Sequence, residues 1–301
     1  MNIIGIDIGG TKIAFGLVRD GQILCQDRID TEPAGSFEDK MDELVQGIER
    51  LSGGTLPEGI GIGCAGPLDP ASGTIENPYT LPSWQGRNIV RYFRERFRVP
   101  VILENDVNTA LTGIVRFEHP DLKNAVMLTF GTGIGGAVLL DGSLYSLGGR
   151  RHPELGHIPV TEDGPECYCG LKGCFESQAS GRKFHQTIQQ KGFRDLDEYY
   201  SRLESEDPAA AETARQFSRI IDRGLSTLKI IFEPDAFILG GGFMDRFFPW
   251  YEKYHNPSVL VSEFYKTEIR LIRSGFNGNI AILGAASLAE KKLTIPEGEN
   301  R

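Results

Sequence analysis

The 301-residue sequence predicts an α/β protein that carries two copies of one antiparallel βββ unit. Residues 2–8, NIIGIDI, are a β-branched run ending in Gly9-Gly10-Thr11-Lys12. IAFGLV, an Asp20-Gly21 turn and QILCQDRI follow, so the order is strand, glycine turn, strand, Asp-Gly turn, strand. Residues 124–130, NAVMLTF, open the same order: Gly131-Thr132-Gly133-Ile134-Gly135-Gly136, AVLL, Asp141-Gly142 and SLYS. Shifting the first copy onto the second lays Gly10, Thr11, Ile13, Asp20 and Gly21 on Gly131, Thr132, Ile134, Asp141 and Gly142. Leu17, Val18 and Ile23 meet Val138, Leu139 and Leu144 in the same shift. Each copy presents a glycine loop whose backbone N–H groups can donate to phosphate without a side chain in the way. Two such loops facing each other across a cleft would grip opposite ends of a polyphosphate.

The remaining elements follow from periodicity and caps. Phe37 to Leu51 has helical spacing of apolar residues, with Ser36 as its capping side chain. Gly59 to Cys64 is a short apolar strand that Gly66-Pro67 ends, and a loop rich in proline and aromatic residues runs to Gly86. A basic amphipathic helix covers Ile89 to Phe97, VPVILE is a strand, and Asn105-Asp106 opens a helix beginning VNTALTGI. The sequence predicts one helix over Phe175 to Gln190, then a polar stretch, then a long helix from about Ala209 to Phe232. AFILGGG is a buried strand, residues 268–273 a short strand, and Asn279 to Lys292 a final helix. The tail IPEGENR is expected to fray.

Composition narrows the function. A net charge of −9, from 32 basic against 41 acidic residues, argues against a nucleic-acid surface and is no obstacle to small anions held locally. No apolar run is long enough to span a bilayer, and Met1 leads straight into a strand, so a cytoplasmic protein without a membrane partner is expected. Gly131, Gly133 and Gly136 satisfy the literal pattern G-x-G-x-x-G. A dinucleotide fold would need a helix next, whereas an alternating strand and an Asp-Gly turn follow.

The chemistry is concentrated between His152 and Glu176, which holds two of five histidines and three of five cysteines. The cysteines read Cys167-x-Cys169-x4-Cys174. Two sulfurs one residue apart can share a metal but cannot form an unstrained disulfide with each other. With His157 they make a full tetrahedral set for Zn²⁺, and a saturated Cys3His site is structural because no position is open to water. Cys25 and Cys64 read as small core residues.

Asp7-x-Gly9-Gly10-Thr11-Lys12, Glu104-Asn105-Asp106, Gly131-Thr132-Gly133-x-Gly135-Gly136, Glu154-x-Gly156-His157 and Cys167-x-Cys169-Gly170-x-x-Gly173-Cys174-x-Glu176 occur in this order. Together they resemble the ROK family of bacterial sugar kinases, in the actin-like, ribonuclease H-like ATPase superfamily, from Ile3 to about Ala289. The resemblance implies two lobes with ATP and a sugar between them: a smaller lobe of residues 1–115 plus 284–301, and a larger one of 116–283 with the zinc-binding loop. It implies Asp7 for Mg²⁺ and phosphate, the Gly9, Gly10, Thr11, Lys12 and Gly131, Thr132, Gly133 loops for ATP, and Gly241 beside adenine. Asn105, Asp106, Glu154, His157, Glu176 and Gly66 are implied on the sugar side, and Asp106 is implied as general base. On position alone, Asn105 or Asp106 could instead be only a helix N-cap.

A homodimer is expected from the same resemblance. The sugar is expected to be a hexose taken at its 6-hydroxyl, with glucose first. Leu81-Pro82-Ser83-Trp84 suits an aldose, with Trp84 either a wall of the loop or core packing. Thr80 and His152-Pro153-Glu154 keep fructose in play, and N-acetylglucosamine and N-acetylmannosamine need only room beside C2. A repressor of the same family would carry a winged helix ahead of the first glycine loop, where the chain has only Met1. A non-catalytic sensor would be expected to lack the base or the phosphate loops.

Overall fold

β1 (Asn2–Ile8), β2 (Lys12–Arg19) and β3 (Gln22–Asp30) form the expected meander in a computed structural model that describes residues 1–32, 34–146, 152–275 and 278–294. The Asp20-Gly21 turn has φ of 50° and 75°, the left-handed pair that a two-residue hairpin needs. α1 (Phe37–Leu51) is capped by Ser36, whose hydroxyl accepts from the Asp39 N–H. β4 (Gly59–Cys64) pairs in parallel with β1. The loop expected up to Gly86 contains β5 (Leu68–Asp69) and β6 (Thr74–Ile75), which form a small antiparallel sheet with β7 (Arg87–Asn88) just after it. Two-residue strands are too short to show a period in sequence. α2 (Ile89–Phe97), β8 (Val101–Asn105) and α3 (Asp106–Phe117) follow, and the main sheet runs β3-β2-β1-β4-β8.

The second copy is β9 (Ala125–Phe130), β10 (Ile134–Leu140) and β11 (Ser143–Leu144). Its Asp141-Gly142 turn has φ of 50° and 74°, the geometry of the first copy. The helix expected over 175–190 is two: α4 (Phe175–Ala179) and α5 (Gly181–Gln190). Ser180 between them is extended and caps α5 through Lys183 N–H, while the Gly181 N–H turns to the carbonyl of Gly131 at 2.8 Å. The stretch read as polar contains α6 (Leu196–Glu204), capped by Asp195, which buries Tyr199, Tyr200 and Leu203. α7 (Pro208–Phe232) and β12 (Ala236–Gly240) match expectation.

α8 (Gly242–Tyr254) was not anticipated; it starts directly after the glycines and buries Phe243, Phe247 and Tyr251. The strand expected at 268–273 is β15 (Arg270–Arg273), because Thr267 and Glu268 form β14 (Thr267–Glu268) against β13 (Val261–Ser262). The sheet order is β11-β10-β9-β12-β15. α9 (Gly278–Thr294) is last, and the tail IPEGENR lies outside the described residues.

The described chain divides into two compact units, one of residues 1–121, 144–152 and the segment carrying α9, the other of 122–143 and 153–275. In unit 1, α9 lies on β1, β4 and α3. A Cβ added at Gly61 would sit 1.8 Å from the Ala285 carbonyl oxygen, and one at Gly5 2.1 Å from that of Ile282. Only glycine lets the helix backbone rest on the strands at this distance. Ile4, Ile6, Phe15, Met41, Ile62 and Phe93 fill the core on the other side of this sheet. Trp84 is fully buried and edge-on to Phe37, so of its two expected roles it takes core packing. The core of unit 2 is aromatic, with Phe184 within ring contact of Tyr199, Phe217, Phe243 and Phe247.

Candidate functional site

In unit 1 the parallel strands β1, β4 and β8 are in register, with Ile8 beside Cys64 and Cys64 beside Asn105. Their carboxyl ends therefore bring Asp7 and Asn105-Asp106 to one edge, where open α/β sheets place ligands. Asn105 is the N-cap of α3: its Oδ1 accepts from the N–H groups of Val107 and Asn108, at 2.9 and 3.3 Å. Glu104 orients this corner by accepting from Asn108 Nδ2 and the Asn105 N–H. Asp106 is thereby relieved of capping, although its Oδ1 also lies 2.9 Å from the Val107 nitrogen.

Burial pushes the Asp106 carboxyl up, against the Val107 N–H and the nearby His152, which favour its charge. Burial first, and then the Asp106 charge, push Asp7 up to about 7. A buried carboxyl raised by a neighbouring carboxylate in this way suits a divalent cation. The loop after Asp7 is closed by a bond from the Gly9 N–H to the Lys12 carbonyl, and the Thr31 hydroxyl donates to the Gly9 carbonyl. Gly10 lies against Thr80, while Thr11 and Lys12 are exposed. Asp7 and Lys12 line a cavity of about 570 Å³ with Gln26, Arg28 and Asn279.

Gly66 sits between His152 and Asn105, since a Cβ there would lie 3.3 Å from His152 Cε1 and 3.4 Å from Asn105 Nδ2. His152 thus belongs to the surroundings of Asp106. Asn77, which sequence reasoning passed over, is fully buried; it accepts from the Tyr79 and Thr80 N–H groups and donates to the Ala65 carbonyl and the Thr80 hydroxyl.

In unit 2 the loop Gly131-Thr132-Gly133 joins β9 to β10, closed by the Gly131 N–H on the Gly133 carbonyl. β12 runs parallel to β9, so Gly241 leaves the sheet at the same edge, with φ of 92°. Gly131 and Thr132 line a cavity of about 260 Å³ with Arg182, Tyr200, Phe243 and Arg246. The two arginines lie on α5 and α8; nothing local in the sequence marks them as neighbours of the loop.

The cysteine segment is also in unit 2. The metal-binding atoms of His157, Cys167, Cys169 and Cys174 all lie within 4.8 Å of one another. Cys169 Sγ is 3.6 Å from Cys174 Sγ, and Cys167 Sγ is 3.4 Å from His157 Nδ1. A zinc tetrahedron with ordinary bond lengths has S–S edges of about 3.8 Å and S–N edges of about 3.5 Å. The four residues therefore fit Zn²⁺. Burial and then the neighbouring sulfurs push the Cys174 thiol up to about 12, whereas the Leu171 N–H favours the Cys169 thiolate. A cation would relieve this crowding of sulfur.

Glu154 precedes a 3₁₀ turn, Leu155–His157, that seats on β10 with Leu155 against Gly136. Glu176 opens α4 and is buried, its Oε2 accepting from the Ile134 N–H at 2.7 Å. Tyr168, between two of the cysteines, places its hydroxyl 3.0 Å from His157 Nε2. Partial burial raises the Tyr168 phenol, as do Glu176 and Glu154, so both carboxylates are near it. Glu154, His157 and Glu176 thus belong to one cluster in unit 2, while Asn105, Asp106 and Gly66 belong to unit 1. The pattern Cys-x-Cys drew attention to the sulfurs and none to the residue between them.

Comparison with known proteins adds an independent finding. The pattern of the ROK family matches residues 3–292. A glucokinase of Streptomyces coelicolor is 30% identical, over 96% of this chain and 97% of its own. An N-acetylmannosamine kinase of Vibrio cholerae is 31% identical, over 80% of this chain and 84% of its own. A crystal structure of a ROK family glucokinase from Streptomyces griseus, in complex with glucose and AMPPNP, superposes with a TM-score of 0.77 at 29% identity. It covers 97% of this chain and 100% of that one.

Proposed function

From the premise that the chain belongs to the ROK family, we propose that it is an ATP-dependent hexose kinase acting on the 6-hydroxyl of glucose, with Asp106 as general base. The observation that carries the chemistry is the division of labour at the start of α3. Asn105 caps the helix, which leaves the Asp106 carboxylate held at the helix start, half-buried and raised by desolvation.

In the proposed reaction Asp106 takes the proton of the 6-hydroxyl as its oxygen bonds to the γ-phosphorus. The bond from that phosphorus to the bridging oxygen of ADP breaks. The Gly9–Lys12 and Gly131–Gly133 loops hold phosphates, with Thr11 and Thr132 supplying hydroxyls. Gly241 leaves room for adenine at the end of β12. Asp7 would hold Mg²⁺, which would supply charge neutralisation on the phosphates. Glu154, His157 and Glu176 contact ring hydroxyls away from the reacting end, helped by Asn105 at the other, with Gly66 leaving space beside it. His157, Cys167, Cys169 and Cys174 would hold Zn²⁺, which would supply no chemistry to the reaction and would fix the loop and the His157 ring.

N-acetylmannosamine is the second reading for the sugar, favoured by the similarity to a kinase of that name. We further propose a homodimer in the cytoplasm. The exposed Ile230, Ile231, Phe264 and Tyr265 of unit 2 support association, and five unbridged cysteines support a reducing compartment. Among the described residues no helix is long and apolar enough to cross a membrane.

The test is a coupled ADP-release assay over glucose, fructose and N-acetylhexosamines, with Asp106→Asn beside the wild type. The variant is expected to bind ATP and lose roughly 10²–10⁴-fold in kcat. A variant that keeps wild-type turnover would reduce Asp106 to part of the helix start. A tenfold preference for N-acetylmannosamine, about 1.4 kcal/mol in transition-state binding, would move the substrate to the second reading.

A further inference from the structure

We propose that the Tyr168 hydroxyl is a built-in stand-in for a sugar hydroxyl on His157, displaced when the hexose binds. Tyr168 then sets how strongly that one hydroxyl is selected. The inference rests on the reading of His157 and Glu176 as sugar contacts.

Tyr168 stands in a tight turn held by the Cys167 N–H on the Leu171 carbonyl and the Gly170 N–H on the Cys167 carbonyl. Its ring is edge-on to His157, with centroids 5.0 Å apart and planes at 89°, and its oxygen is 3.0 Å from Nε2. Glu176 is within hydrogen-bond reach of the same phenol. His157 turns Nδ1 to the Cys167 sulfur, so a ring bound through Nδ1 carries its proton on Nε2. Nε2–H then donates to the Tyr168 oxygen, and the Tyr168 O–H donates to the Glu176 carboxylate. A sugar hydroxyl offers the same equipment, one donor and two lone pairs, and would satisfy the same two partners.

Mobility separates the two ends of this chain of bonds. Glu176 is 7% exposed and tied to the Ile134 N–H, whereas Tyr168 is 62% exposed. Rotation of the tyrosine side chain into solvent opens no core, so the phenol is the member that leaves. While it stays, it holds His157 and Glu176 in the arrangement a hydroxyl needs. The same occupancy makes the arriving sugar compete for a bond already made. A hexose with a hydroxyl at that place replaces the phenol one for one. A sugar lacking it leaves the phenol where it is and meets no competition.

The experiment measures binding by calorimetry and KM and kcat by ADP release, for wild type and Tyr168→Phe. The probes are glucose, its 2-, 3- and 4-deoxy analogues and 1,5-anhydroglucitol. Metal analysis of both proteins checks that zinc content is equal. Tyr168→Phe should bind glucose roughly two- to tenfold more tightly, the range of one hydrogen bond of ordinary net strength. The change should fall on Kd and KM rather than on kcat. One analogue, the one lacking the matched hydroxyl, should not share the gain, so that discrimination against it widens in the variant. Unchanged or weaker glucose binding by Tyr168→Phe, or the same gain for every analogue, would overturn the proposal and leave the kinase reading standing. A wild type that neither binds nor phosphorylates any hexose would overturn both.

Discussion

Gly133→Ala tests whether the Gly131-Thr132-Gly133 loop and Glu176 are one mechanical piece. A Cβ at Gly133 would stand 2.3 Å from Glu176 Oε2 and 2.9 Å from its Cδ, against about 3.4 Å for ordinary contact. The carboxylate must retreat by about 1 Å, and Oε2 is the atom that accepts from the Ile134 N–H at 2.7 Å. That bond breaks, because Glu176 is buried and cannot slide along its partner. Loss of a hydrogen bond to a charged group is worth about 1.5–3 kcal/mol. In thermal melts this corresponds to a fall of roughly 3–12 °C. The internal control is Gly131→Ala, where an added Cβ has nothing within 4 Å and the change should stay within about 0.5 kcal/mol. Glucose affinity measured by calorimetry should fall with Gly133→Ala and be restored in no part by zinc. If the two alanine variants melt together and bind glucose alike, the inference from Gly133 to Glu176 is wrong.

Asp7 gives a prediction in pH. Its carboxyl is held up to about 7, so between about pH 4 and 7 the folded protein without Mg²⁺ keeps a proton that the unfolded chain has released. The native state binds the extra proton, so stability falls as pH rises through that window, by about 2–4 kcal/mol. Asp7→Asn should therefore stabilise the Mg²⁺-free protein at pH 8 and do little at pH 4; urea melts giving an equal effect at both would refute this. Cys174→Ser should lower zinc content, melting temperature and sugar affinity together, since that sulfur is central to the cluster. Metal analysis showing full zinc in the variant, or none in the wild type, would remove the metal from the account.

Signals carried by neighbouring residues were legible in the sequence. The Asp-Gly turns, the Ser36 cap and the strand runs depend on residues a few positions apart, and the two βββ units follow them. The gathering of His157 with the three cysteines was legible for the same reason, because three of the four residues fall within eight positions. What escaped depends on distant partners. The break at Ser180 exists because the Gly181 N–H goes to Gly131, fifty residues earlier in the chain, while the apolar pattern runs on across it. α6 was masked by its charges; its Tyr199 and Tyr200 are buried by Phe184, Phe193 and Arg246. Sequence alone left open whether Asn105 or Asp106 caps α3, and only the direction of the two side chains decided it. The approach of His152 to Gly66 and of Tyr168 to His157 left no pattern of spacing at all.

The seating of α9 on Gly5 and Gly61 has a consequence in time. A ribosome delivers β1, β4 and α3 early, yet the helix that lies on their backbones emerges only after all of unit 2 has been made. Until then the glycine faces of β1 and β4 have no cover, and Ile3 and Val18 lack their partners Ile282 and Ala286. Unit 2, drawn from 122–143 and 153–275, needs nothing made later than itself. The half of the protein that carries Asp7 and Asp106 is thus begun first and finished last, and a nascent chain stalled before residue 278 would hold a complete unit 2 and, in unit 1, a sheet still open on one face.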